Sequence, residues 1–245
     1  MPAPPIGLES LIAPMKLLAI ETATEACSCA LYLDGMCAEA HRVEPRRHAE
    51  FILSMVSELL ANAGLALPQL DGLAFGRGPG TFTGVRIAAG VAQGLAFGAD
   101  LPVAAISTLQ ALAQGAYREL GESQVLVAID ARMGEVYWGA YHLNDRRCMG
   151  PAMEECIAVP ERVPMPRVGR WLAAGSGWET YGSLLSNRAG HVICGLDSSR
   201  LPHARDVAVL GAEVISAGGG VAPEGALPVY LRERVAEQPS RVIGP

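Results

Sequence analysis

The sequence predicts an α/β protein made of two similar halves. Short apolar runs bounded by turn residues alternate with amphipathic stretches of helical length. The chain opens with three consecutive strand-like runs and then alternates strand and helix, and a second strand-turn-strand unit after residue 122 echoes that opening. With 50% hydrophobic and 18% charged residues in 245, the chain has ample apolar surface for folded cores and none of the composition of a disordered one.

Residues 1–14 hold three prolines in the first five positions and show no period, so they are expected to form a flexible extension. They carry no basic segment followed by an apolar stretch, so no secretory leader is expected and the location is read as cytoplasmic. From Lys16 the pattern becomes regular. Residues 16–21 and 26–33 read as strands around a polar turn, Asp34-Gly35 as a hairpin turn, and 36–43 as a third strand.

Residues 46–62 read as a helix stopped by Gly64, with Ile52, Val56, Leu59 and Leu60 on one stripe. A second stripe holds His48, Phe51 and Met55, which suits deep burial or an interface equally. Residues 71–75 form the next strand and 83–97 the next helix. That helix carries Gly90, Gly94 and Gly98 at four-residue spacing. Each interior glycine costs about 1 kcal/mol relative to alanine, so the ridge calls for close approach by another element, of this chain or of a partner.

A strand over 103–106 follows, then a helix capped by Ser107 and running to Leu120. Meander, strand, helix, strand, helix is the order of the ribonuclease-H-like fold. The second half gives strands at 125–130 and 135–142, an irregular proline-rich stretch at 151–166, a short strand at 170–174 and a helix at 205–217. The expected division is an extension at 1–14, a first lobe at 15–121, a second at 122–235 whose last helix is free to pack back on the first, and a flexible tail at 236–245.

The most informative stretch runs from Leu73 to Ile87: an apolar strand, a glycine-rich turn and a helix opened by threonines. Gly76, Gly78 and Gly80 with Thr81 and Thr83 form a candidate anion-binding loop, because free N–H groups and the helix dipole attract negative charge. The competing reading is a tight connection that binds nothing. The lysine of a Walker loop is absent, which argues against a P-loop nucleotidase.

Other chemistries find little support. The six cysteines include no C-x-x-C pair, and the five histidines make neither an H-E-x-x-H motif nor an i, i+4 pair, so no metal site is expected. Gly175-Ser176-Gly177 lacks the spacing of a serine nucleophile elbow and follows no strong strand-to-helix pattern. The richest apolar tract, 87–106, is broken by Gln93, Asp100 and Pro102 and is no membrane span. A net charge of −6 without a basic run makes the isolated chain a poor nucleic-acid binder.

Several segments in order carry a family resemblance: Leu18-Ala19-Ile20-Glu21-Thr22-Ala23-Thr24, Arg47-His48-Ala49-Glu50, the loop from Gly76 to Arg86, the run from Val127 to Tyr137, and Val229-Tyr230-Leu231-Arg232. Together they resemble the TsaB family, also called YeaZ, a paralogue of the TsaD family. The resemblance implies the actin-like ATPase (ASKHA) superfamily fold, with two ribonuclease-H-like lobes of mixed sheets flanked by helices. It implies a role in placing threonylcarbamoyl on the adenosine 3′ of the anticodon of tRNAs that read codons beginning with adenine. In that reaction TsaD transfers the group from threonylcarbamoyl-AMP, TsaB is its non-catalytic partner, and TsaE is a further ATP-using member.

No catalytic residue is assigned here. TsaD carries a metal-binding H-x-x-x-H where this chain has Thr108 and Leu112, neither of which replaces imidazole. Actin-like ATPases follow a strand-end Asp with a second phosphate loop of small residues, whereas Asp130 is followed by Ala131, Arg132 and Met133. Glu21, Thr22, Thr24 and Asp130 are therefore candidates for a vestigial nucleotide site. No cofactor is required of this chain, and whether ATP or ADP binds weakly at the junction with TsaD is left open. The resemblance implies pairing through the N-terminal helices, with TsaD or, in its absence, with a second copy; His48, Phe51, Met55, Gly90, Gly94 and Gly98 are then the interface. Contact with tRNA is expected mainly through the complex, and no membrane is involved. The alternative is an autonomous ATP-dependent transferase or glycoprotease-type peptidase.

Overall fold

The computed structural model describes residues 15–232. Strands β1 (Lys16–Glu21), β2 (Ala26–Leu33) and β3 (Met36–Val43) form an antiparallel meander. Asp34 and Gly35 both have positive φ (50° and 95°), the geometry a tight two-residue hairpin demands. Helix α1 (His48–Ala63) ends at Gly64 in the left-handed region, and β4 (Gly72–Gly76) follows, parallel to β1.

Helix α2 (Phe82–Ala99) is capped by Thr81, whose Oγ1 accepts from Gly84 N at 3.2 Å. Strand β5 (Val103–Ile106) pairs parallel with β4. Helix α3 (Thr108–Leu120) is capped by Ser107, which accepts from Gln110 N.

The second unit contains β6 (Gln124–Arg132), β7 (Glu135–Leu143), β8 (Met149–Pro151), β9 (Cys156–Ala158), β10 (Trp171–Ala174), α4 (Ser176–Ala189) and β11 (Ile193–Asp197). Helix α5 (Ala204–Ser216) then crosses back. The first sheet has the order β3-β2-β1-β4-β5 and the second β11-β10-β6-β7-β8, with β9 also on β7. Substituting β6, β7, β8, β10 and β11 for β1 to β5 turns one order into the other, and the parallel and antiparallel pairings correspond. This is the duplicated ribonuclease-H-like architecture of the actin-like ATPase superfamily.

Strand alternation decides how the layers stack. Leu18, Ile20, Leu73 and Phe75 face α1 and α2, while Leu17, Ala19, Ala74 and Ala104 face α5, whose Gly211 lets the backbone approach Ala74 closely. In the second sheet Leu126, Trp138 and Ala173 face α4, while Val125, Val127 and Leu172 face α3. Cys27 and Cys29 lie two apart on one buried face. Both are free thiols, pushed up by burial to about 11 and about 12.

Two expectations for the second half are corrected. The segment after β10 is a true strand-to-helix passage, Gly175 leading into α4, and β11 follows it. Residues 151–166, expected to be irregular, contain β9 and a 3-10 turn at Pro160–Arg162. The segments expected to be flexible at 1–14 and 236–245 lie outside the described residues. Among the described residues no helix is long and apolar enough to cross a membrane.

Candidate functional site

The glycine loop is a joint between two turns. A Cβ at Gly76 would collide with the Glu21 carboxylate, one at Gly80 with Ala23 O, and one at Gly84 with Thr22 O. These glycines bring the loop against the β1–β2 turn. Thr81 N donates to Ala23 O at 2.8 Å, Thr22 Oγ1 donates to Gly84 O at 2.8 Å, and Thr108 N donates to Gly78 O at 3.0 Å. Of the candidate anion donors, Thr81 N–H is therefore spent on Ala23 and Gly84 N–H on the Thr81 cap. Thr83 is exposed in the first turn of α2 and does not act as the cap.

Glu21 lies fully buried behind this loop. Its Oε1 accepts from Ala23 N at 2.6 Å and its Oε2 from Thr108 Oγ1 at 3.0 Å. Burial outweighs these donors and pushes the carboxyl up to about 7. Thr24 is buried with its carbonyl paired to His48 Nε2 at 2.8 Å. Thr24 Oγ1 and His48 Nδ1 are buried without a partner among the described residues.

The second turn is built for a cation. Arg132, Met133 and Gly134 all have positive φ (62°, 57° and 79°), and Asp130 closes the turn by accepting from Arg132 N and Arg132 Nη1, each at 2.8 Å. Arg132 also lies 4.0 Å from Glu25 on the β1–β2 turn, an ion pair between the two turns. The carbonyls of Ala131 and Arg132 accept from Arg232 Nη2 at 3.2 and 3.4 Å, and the same guanidinium pairs with Glu135. A phosphate nest presents converging N–H groups, whereas this turn presents carbonyl oxygens to a guanidinium, and its carboxylate already holds an arginine. The arrangement does not fit a nucleotide phosphate.

The expected interface stripe on α1 divides. His48 and Met55 are buried and share one face with Ile52, Val56 and Leu60, so the two stripes read from sequence are one broad stripe facing the core. Phe51 sits half-buried at its edge beneath the Arg42 and Arg47 guanidiniums, 5.1 and 4.5 Å from the ring centre. The glycine ridge on α2 behaves oppositely. Gly90, Gly94 and Gly98 are exposed, and a Cβ on any of them would meet nothing within 4 Å. Among the described residues nothing approaches the ridge.

One cluster escaped the sequence reading. Arg86 stacks on Phe82 with its guanidinium carbon 3.4 Å from the ring centre, and its Nε donates to Tyr230 Oη at 2.9 Å. Residues 82, 86, 90, 94 and 98 are one ladder at four-residue spacing, which was the available signal. Among the described residues no three His, Cys, Asp or Glu side chains group as a metal site.

Both units align with known proteins. A family model described as TsaD, tRNA N6-adenosine threonylcarbamoyltransferase, matches residues 42–209. The tRNA threonylcarbamoyladenosine biosynthesis protein TsaB of Escherichia coli (strain K12) is 44% identical over 230 residues, 91% of this chain and 96% of that one. The chain belongs to the TsaB family. The Haemophilus influenzae protein of the same name is 56% identical over 124 residues, 51% of this chain and 52% of that one. A solved structure, YeaZ from Pseudomonas aeruginosa, is 50% identical and superposes with a TM-score of 0.83, covering 89% of this chain and all of that one. At the positions compared with the TsaD pattern, Thr108 donates to the Glu21 carboxylate and Leu112 lies in the core.

Proposed function

We propose that this chain takes part in threonylcarbamoyladenosine synthesis on tRNA as the non-catalytic partner of TsaD, which transfers the threonylcarbamoyl group from threonylcarbamoyl-AMP. The observation that carries the reading is the contrast between the two turns and α2. At the turns Asp130, Glu135 and Glu25 pair with Arg132 and Arg232, while among the described residues nothing covers the α2 ridge of Gly90, Gly94 and Gly98 beside an 80% exposed Phe97. An uncovered ridge without side chains suits a helix of another protein lying along it at short distance.

In this reading TsaD occupies the ridge in the working complex, TsaE joins the larger assembly, and a second copy of the chain occupies the ridge when TsaD is absent. The chain needs no cofactor of its own, and any ATP or ADP binds weakly at the junction with TsaD. It meets tRNA through the complex, in keeping with its net charge of −6.

The test is threonylcarbamoyl transfer to tRNA by purified TsaC, TsaD and TsaE, with no addition, with this chain, or with its Gly94→Leu variant. Product that requires the chain and fails with Gly94→Leu supports the proposal. Product formed equally without the chain overturns it.

A further inference from the structure

Among the described residues Arg86 has no counter-ion. Its contacts there are with aromatic groups: the Phe82 face at 3.4 Å, the Tyr230 face at 5.6 Å, and the bond from Nε to Tyr230 Oη. Among the described residues no carboxylate pairs with it, whereas the neighbouring Arg77, Arg132 and Arg232 pair with Glu155, Asp130 and Glu135. Phe82 and Tyr230 remain 49% and 43% exposed, so the clamp stands at the surface.

The clamp is held in place from two directions. Phe82 and Arg86 are one turn apart on α2, and Tyr230 is carried by a strap whose Val229 N donates to Arg77 O at 2.8 Å and whose Arg232 grips the β6–β7 turn. With Nε engaged and the plane fixed against a ring, the two terminal nitrogens project as a pre-oriented fork. That geometry matches a carboxylate in bidentate fashion, with part of the ordering cost already met within the chain.

We infer that Arg86, clamped by Phe82 and Tyr230, receives an aspartate or glutamate side chain from the partner helix that lies along the α2 ridge. The inference rests on the reading of the chain as a partner of TsaD. Two features select a protein carboxylate. Arg86 continues the glycine ladder, so a helix seated on the ridge passes over it, and aromatic and arginine anchors are the side chains that dominate protein interfaces. Nucleic acid would need several unpaired basic groups, and the arginines flanking the clamp are neutralised.

The experiment titrates the full-length chain against purified TsaD by calorimetry, with the wild type, Arg86→Lys and Tyr230→Phe, and measures tRNA retention by the complex in parallel. Lysine keeps the charge but neither stacks flat nor forks. Arg86→Lys is expected to weaken TsaD binding roughly tenfold to hundredfold, and Tyr230→Phe to weaken it less, with the thermal midpoints of both unchanged. Wild-type affinity in Arg86→Lys overturns the inference alone. Unimpaired TsaD binding with reduced tRNA retention overturns it in favour of a phosphate contact. Failure of the wild type to bind TsaD overturns the partner reading and the inference together.

Discussion

The glycine ridge permits a prediction in which folding and pairing respond with opposite signs. A Cβ built at Gly90, Gly94 or Gly98 meets nothing within 4 Å, and none of the three has positive φ. Alanine therefore enters all three positions without strain, and each replacement recovers about 0.8–1 kcal/mol of helix propensity. Gly98 lies one residue from the end of α2 and contributes less, so the triple variant gains about 2–3 kcal/mol. For a chain of this size that gain raises the unfolding midpoint by roughly 4–12 °C. The three methyl groups meanwhile stand where the partner helix must make its closest approach, so affinity for TsaD falls. The assay is thermal unfolding of the isolated chain by circular dichroism at a concentration that keeps it monomeric, paired with titration against TsaD. A triple variant no more stable than wild type would show that an element of the same chain covers the ridge. A variant that is stabilised yet binds TsaD as before would show that the ridge faces no partner.

Three further outcomes test the interior and the helix faces. Glu21 titrates at about 7 when folded and near 4.5 when unfolded, so its stabilising effect is complete below pH 4.5 and is lost as the pH rises through 7. The loss is about 3 kcal/mol, and it should appear as the change, between pH 4.5 and above 7, in the difference between wild-type and Glu21→Gln unfolding free energies measured in urea, because glutamine does not titrate. Asp206 is buried and receives both Nε and Nη2 of Arg118 at 2.9 Å, so Arg118→Met strands a buried carboxylate and is expected to cost about 3–5 kcal/mol in the same assay. On α1, Met55→Asp is expected to unfold the chain, whereas Leu53→Asp, at a 55% exposed position, should leave the melting curve unchanged.

The elements legible in the sequence are those whose signals are local. Asp34-Gly35, Thr81, Ser107, Gly64 and Gly121 fix turns and helix ends within a few residues, and the first unit is found where its pattern places it. Helix α4 was missed because its buried positions reduce to Gly177, Trp178, Leu185 and Ala189, its interior breaks at Tyr181 (φ −122°, ψ 24°), and no side chain caps it. Strand β11 lies at the sheet edge and alternates half-buried with exposed residues, so it lacks an apolar run. The α1 stripe was misdivided because spacing says which residues share a face and leaves open how wide a face the tertiary packing covers. The clamp at Arg86 shows the same limit. Phe82 and Arg86 are visible as an i, i+4 pair, but Tyr230 is 144 residues away, and the strap that delivers it is ordered by contacts with both units.

The duplication itself locates the chemistry. Because the units share one strand order, the β1–β2 and β6–β7 turns are equivalent positions, which meet at the Glu25–Arg132 pair, and each is closed by different means. In the first unit, backbone contact between glycine loop and turn consumes donors that would otherwise face a ligand. In the second, Arg132 seals Asp130 and Arg232 takes the turn carbonyls. Charges that neutralise one another retain little interaction energy for a ligand, and drawing Arg132 away would leave the nearly buried Asp130 carboxylate unpaired. Among the described residues, what remains uncommitted lies on α2: a ridge that none of them approaches and an arginine held flat without a carboxylate partner. Binding free energy comes from groups not already satisfied, so substitutions on the α2 face are expected to separate complex formation from folding more cleanly than any at the two turns.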